Sequence, residues 1–100
     1  MKAHEIAGAA AELLTGERQK THGEKRVNHE NIAGLWSAYL SRRIDRDAPL
    51  TGSDVALMMV LLKVARTLAG VHNTDDFVDA VGYAAIAGEL SQAKDPKTSA

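Results

Sequence analysis

The sequence has no cysteine, which excludes disulfides, thiolate zinc sites and cysteine nucleophiles. It has only two prolines, Pro49 and Pro96, and both fall outside the periodic segments, where loop punctuation belongs. An excess of one charge is also missing. Twelve Lys and Arg stand against thirteen Asp and Glu, a net charge of -1. A chain so balanced does not coat nucleic acid or an anionic membrane by bulk charge. The longest apolar run is the eight residues Val55 to Leu62, far short of the ~20 needed to span a bilayer. The Ala-rich N-terminal stretch carries Glu5 and Glu12, so it lacks the uncharged apolar centre of a signal peptide. A cytoplasmic protein is the expectation. No phosphate-cradling glycine motif of the P-loop or dinucleotide type occurs. Ser37, Ser41, Ser53 and Ser91 lack a nucleophile-elbow context. None of His4, His22, His29 and His72 pair at the i, i+4 spacing of a zinc helix.

What is present is helical periodicity. The chain of 100 residues, 45% hydrophobic and 25% charged, has the size and composition of one soluble domain. Alternation is absent and β-branched runs are few, which argues against strands. Four helices are predicted, in an all-α compact bundle. The first covers about Ala3 to Leu14 and ends at Thr15-Gly16. The second covers about Asn28 to Ile44, with Asn28 as N-cap and Ile32, Leu35, Trp36, Tyr39 and Leu40 on one stripe. The third covers about Gly52 to Ala69 behind a capping box made by Thr51 and Asp54. The fourth covers about Asp75 to Ser91 with Thr74 as its cap. Residues 1–91 form the expected domain and 92–100 a flexible tail. Val55 to Leu62 is apolar on every side, the pattern of an enclosed helix. Three short companions barely enclose it. A homodimer, with part of the third or the first helix packed on a second copy, is therefore expected.

Two places carry candidate chemistry. Between the first two helices, Arg18, Lys20, Lys25 and Arg26 surround Gly23 and lead into a helix N-terminus. Such an arrangement can hold a phosphate, or it can be a solvated polar loop. The second place is the hairpin of the last two helices. Lys63 and Arg66 are three apart and share a face, as do Asp76 and Asp79. Folding at Gly70 brings Arg66 near Asp76 or Phe77 and Lys63 near Asp79 or Ala80. Asp76 and Asp79 could then hold a hard cation such as Mg²⁺ while Lys63 and Arg66 face phosphate. The alternative is an internal set of salt bridges.

The residues Arg18-Gln19, His22-Gly23, Asn28, Ile32-Ala33-x-Leu35-Trp36-x-Ala38-Tyr39-Leu40, Asp54 to Arg66 and Asp76-x-x-Asp79-x-x-Gly82-Tyr83-Ala84 resemble a small family of tailed-phage proteins. The resemblance covers about Leu13 to Leu90. More remotely, Lys63-x-x-Arg66 and Asp79-x-x-Gly82-Tyr83 look like nucleotide-modification-associated phage domains and MazG-like all-α NTP pyrophosphohydrolases. That likeness implies a dimeric helical protein in the host cytoplasm that handles nucleotides with Mg²⁺. It gives Asp76 and Asp79 to the metal and Lys63, Arg66, Arg18 and Lys20 to phosphate. The Glu-Glu-x-x-Glu helix of those enzymes is missing, since Glu5, Glu12 and Glu30 stand alone. The resemblance therefore implies a phage-encoded nucleotide-binding protein or a degenerate MazG-like NTP pyrophosphohydrolase. A non-enzymatic accessory protein that binds a host protein is the other expectation.

Overall fold

The computed structural model describes residues 1–14 and 25–92. These residues are all-helical and contain no strand. Four helices follow one another: α1 (Ala3–Leu13), α2 (Lys25–Ser41), α3 (Gly52–Thr67) and α4 (Thr74–Leu90). The expected all-α bundle is present, and α3 lies at its centre. It packs on α2 along one side and, more extensively, on α4 along another.

The start of α3 is set by its sequence. The Thr51 hydroxyl accepts from the Asp54 amide, and the Asp54 carboxylate accepts from the Thr51 amide. This capping box satisfies two backbone donors that the first turn leaves open. Leu68 caps the other end. Gly70, with φ at 83°, then turns the chain, a conformation that costs a glycine little. The fourth helix begins one residue earlier than expected, because Asn73 rather than Thr74 is its N-cap. The Asn73 side chain accepts from the Asp75 amide at 3.0 Å. The second helix also differs from expectation. It starts at Lys25 and ends at Ser41, so Asn28 lies inside the helix instead of capping it. Lys25, Arg26 and Val27 continue the helix without difficulty.

The α3–α4 hairpin keeps one antiparallel register along its length. Gly52 lies beneath Leu90, where a Cβ would come within 3.2 Å of the leucine. Ser53 donates to the Ala87 carbonyl at 3.0 Å. At the far end Arg66 meets Asp76. The α2–α3 contact is held by the Trp36 indole, which donates to the Met58 carbonyl at 2.7 Å. It is held also by the Tyr39 hydroxyl, which donates to Asp54 at 2.7 Å. Arg43 reaches the same carboxylate at 3.1 Å and donates to the Ala48 and Pro49 carbonyls. One aspartate thus joins the end of α2, the loop after it and the start of α3.

Among the described residues the buried apolar set is small: Ile32, Ala56, Met58, Ala65 and Ala87. The third helix is not enclosed as its composition implied. Val55, Leu57, Val64 and Leu68 remain exposed, and no residue of α1 is buried. Among the described residues, α2 and α4 supply most of the packing on α3. The expected tail, apart from Gln92, lies outside the described residues. None of the described helices is long and apolar enough to cross a membrane.

Candidate functional site

Helical spacing places Lys63 and Arg66 on the side of α3 that faces α4, one turn apart. The same spacing places Asp79 and Asp76 opposite them. The Lys63 ammonium lies 2.9 Å from the Asp79 carboxylate, and the Arg66 guanidinium lies 3.0 Å from Asp76. The four residues therefore come together in the pairing that folding at Gly70 predicts.

The two pairs differ in their surroundings. Asp76 is 6% exposed and its partner Arg66 20%, which makes an inner pair. Asp79 is 47% exposed against 13% for Lys63, which makes an outer pair. Taking charges out of water is costly, so removing one member of the inner pair leaves an uncompensated charge. Solvent reaches the outer pair from the Asp79 side and screens it there, while Lys63 is largely enclosed. Asp79 is the member that can turn toward water.

Beside the outer pair is an open depression of about 330 Å³ lined by Asp79, Gly82, Tyr83 and Ile86. Its lining, all from α4, combines a carboxylate, an aromatic ring and an aliphatic side chain. Lys63 reaches its rim through Asp79. Asp79 and Tyr83 are neighbours on the α4 face one turn apart.

No group of three or more acidic or histidine side chains among the described residues is placed to hold a metal ion. Asp76 and Asp79 are each already held by a cation. Mg²⁺ needs six oxygens, but it commonly takes only one or two carboxylates when substrate phosphates and water supply the rest. The donor set fits that second mode alone, with Asp79 as the carboxylate open to solvent. Arg18 and Lys20 lie outside the described residues.

A second polar cluster was not anticipated as such. Asp54 was legible as a cap, but not as the acceptor of Tyr39 and Arg43. The hydrogen bonds from Thr51 and Tyr39, with Arg43 nearby, hold the Asp54 carboxyl down at about 2. The bond to Asp54, burial and the carboxylate's charge raise the Tyr39 hydroxyl above its ordinary value. The spacing of Tyr39 and Arg43, four residues apart at the end of a helix, was the available signal. The cluster closes the loop between α2 and α3.

Comparison with known proteins places the chain. Residues 5–91 match DUF6378, a domain of unknown function. The chain belongs to the DUF6378 family. It is 37% identical over 92 residues to the Gene 55 protein of Mycobacterium phage L5, a match covering 92% of this chain and 56% of that protein. It is 39% identical over 79 residues to the Gene 55 protein of Mycobacterium phage D29, covering 79% and 48%. The chain thus spans about half the length of these curated relatives. DUF6378 is in this way tied to phage proteins, as the tailed-phage resemblance implied. No solved structure matches the chain.

Proposed function

We propose that this DUF6378 protein binds a nucleotide at the α3–α4 face and does so as a homodimer. The observation that carries the reading is the Lys63–Asp79 pair, open to solvent on its Asp79 side, at the rim of the depression that Tyr83 lines. An incoming phosphate replaces the Asp79 carboxylate on Lys63, exchanging one charge-assisted contact for another. The displaced Asp79 is then free to meet a Mg²⁺ ion that arrives with the phosphates. Arg66 adds positive potential from behind, while Asp76 stays on Arg66 and keeps it in place. Tyr83 and Ile86 offer flat and aliphatic surface to a base or sugar. Arg18 and Lys20 remain phosphate contacts by their sequence alone. The MazG-like resemblance of Asp76-x-x-Asp79-x-x-Gly82-Tyr83 supports the same assignment, and its hydrolytic form is a Mg²⁺-dependent pyrophosphohydrolase of the host cytoplasm.

Thermal unfolding with nucleoside mono-, di- and triphosphates, with and without Mg²⁺ and Mn²⁺, tests this. A ligand at ~100 times its Kd adds about 2.7 kcal/mol, a rise on the order of 10 °C for a domain of this size. The shift is expected with the divalent ion and is expected to vanish in Lys63→Met and Asp79→Asn. No shift with any nucleotide overturns the reading.

A second reading has its own observation. Ile6 and Leu13 of α1, Leu57 and Val64 of α3, and the α3 C-cap Leu68 are exposed large apolar side chains. A non-enzymatic accessory role, in which these faces bind a host protein, uses them directly. Capture of one host protein that is lost on Leu68→Asp would favour it over the nucleotide reading.

A further inference from the structure

The stripe of α4 that lines the depression has a gap in it. Asp79, Gly82, Tyr83 and Ile86 stand at i, i+3, i+4 and i+7 and share one face of the helix. Asp76, on Arg66, and Ala87, whose carbonyl takes the Ser53 hydroxyl, mark the side of α4 turned to α3. At about 100° per residue, Tyr83 lies on that side of the stripe and Gly82 lies about 100° from it, toward solvent. Burial agrees, since Tyr83 is partly buried and Gly82 is exposed. Side chains at 79, 83 and 86 therefore stand around a position that has none.

The protomer's own structure does not ask for that glycine. Among the described residues only Gly70 has a positive φ, so Gly82 is not there for its backbone freedom. A Cβ at 82 would meet nothing within 4 Å, and alanine is the better residue inside a helix. Gly8, Gly34 and Gly88 are equally open, so openness by itself assigns no role. Place distinguishes Gly82. It lies in the lining of the depression, beside the carboxylate that meets Lys63 and next to the Tyr83 ring. A Cβ at this position takes up space in the depression itself. Its absence lets a bound group approach the helix backbone closely.

We propose that Gly82 is the position that admits the nucleobase: the flat ring lies on the bare α4 backbone there, with Tyr83 and Ile86 beside it and its phosphates toward Lys63. This rests on the nucleotide reading above and names the part of the ligand that the depression takes. At about 1.5 Å per residue, Gly82 stands about 4.5 Å and Ile86 about 10.5 Å beyond Asp79 along the helix axis. The charged end of a nucleotide thus meets the Lys63–Asp79 end of the stripe, and its aromatic end meets the aliphatic end. Aromatic and aliphatic walls give contact to a flat ring that an inorganic phosphate cannot use. Gly82 then separates nucleotides from base-free phosphates without carrying a charge.

Isothermal titration of the full chain with Mg²⁺ tests this, using the common nucleoside triphosphates and, as a base-free probe, inorganic triphosphate. Wild type is expected to bind at least one nucleoside triphosphate more tightly than inorganic triphosphate. Gly82→Ala is expected to weaken that nucleotide roughly tenfold or more, the effect of one added carbon in a fitted site, and to leave inorganic triphosphate unchanged. It should melt no lower than wild type, because its Cβ has room and alanine favours the helix. Lost binding is then not lost folding. Gly88→Ala, equally open but outside the lining, should change neither affinity. Nucleotide binding that survives Gly82→Ala, or that Gly88→Ala weakens as much, overturns this inference and leaves the nucleotide reading standing. So does an equal loss of both probes in Gly82→Ala, or a wild type that binds them equally. A wild type that binds no nucleotide overturns both.

Discussion

Removing the Asp76 carboxylate separates a structural pair from an exchangeable one. In Asp76→Leu, the Arg66 guanidinium keeps its charge and loses the partner 3.0 Å away. Breaking a buried pair by deleting one member costs about 3–5 kcal/mol, because the other charge stays buried. Arg66 keeps 20% of its side chain exposed, so part of that charge can turn toward water. The lower end, about 3 kcal/mol, is expected. A chain of this length has roughly 5–15 kcal/mol in total. With about 4–8 °C per kcal/mol, the melting temperature should fall by more than 10 °C. Arg66→Met combined with Asp76→Leu removes both charges and fills the space with apolar atoms. The double variant should recover most of the loss, because apolar replacement of a buried pair is often neutral or better. The outer pair gives the internal contrast. Asp79→Ala should cost less than Asp76→Leu, because Asp79 is 47% exposed and water that enters its place can solvate the Lys63 ammonium. Urea unfolding followed at the helical circular dichroism band measures all four proteins. An Asp76→Leu protein within 1 kcal/mol of the parent would refute the inner-pair reasoning. So would a double variant less stable than the single one.

Three further outcomes follow from other positions. Ala65 is completely enclosed, so Ala65→Leu should overpack the bundle and lower stability by about 1–3 kcal/mol in urea unfolding. Replacing the α4 cap, Asn73→Ala, should cost about 1 kcal/mol in the same assay through loss of the bond to the Asp75 amide. The Asp54 carboxyl is held at about 2 against an ordinary 3.8. Its folded-state value is the lower one, so its contribution is complete above pH 3.8 and is lost as pH falls toward 2. Wild type should therefore lose its advantage over Asp54→Asn within that window. An unfolding difference that stays constant from pH 5 to 2 would contradict the assignment.

Local chemistry explains what could be read in advance. Thr51 and Asp54 announced the start of α3 because a capping box is contained in four residues. The Lys63–Asp79 and Arg66–Asp76 pairs followed from helical spacing and a tight turn at Gly70, which fix one register. The cap of α4 was misplaced by one residue because Asn73 and Thr74 are both good caps and only the backbone decides between them. The start of α2 was set three residues late, since Asn28 resembles a cap while Lys25 to Val27 are equally able to be helical. The exposure of Leu57, Val64 and Leu68 could not be read, because burial depends on where partners lie and not on a helix's own pattern. The Tyr39–Asp54–Arg43 cluster escaped for the same reason: it joins residues that only the α2–α3 packing brings together.

The packing between α3 and α4 includes Ala56 and Ala87, among the most buried residues of each helix, with Gly52 under Leu90. Surfaces this smooth resist sliding weakly, since methyl groups meet methyl groups at many offsets. The ion pairs do not tolerate an offset. A shift of α4 by three residues in one direction sets Arg66 on Asp79, strands Asp76 and leaves Lys63 facing Gly82. A shift by four sets Arg66 on Ala80 and Lys63 on Tyr83. Only the observed alignment satisfies both charges at once. The two salt bridges therefore act as a vernier on the hairpin, adding little to its strength while selecting one alignment among several of similar packing.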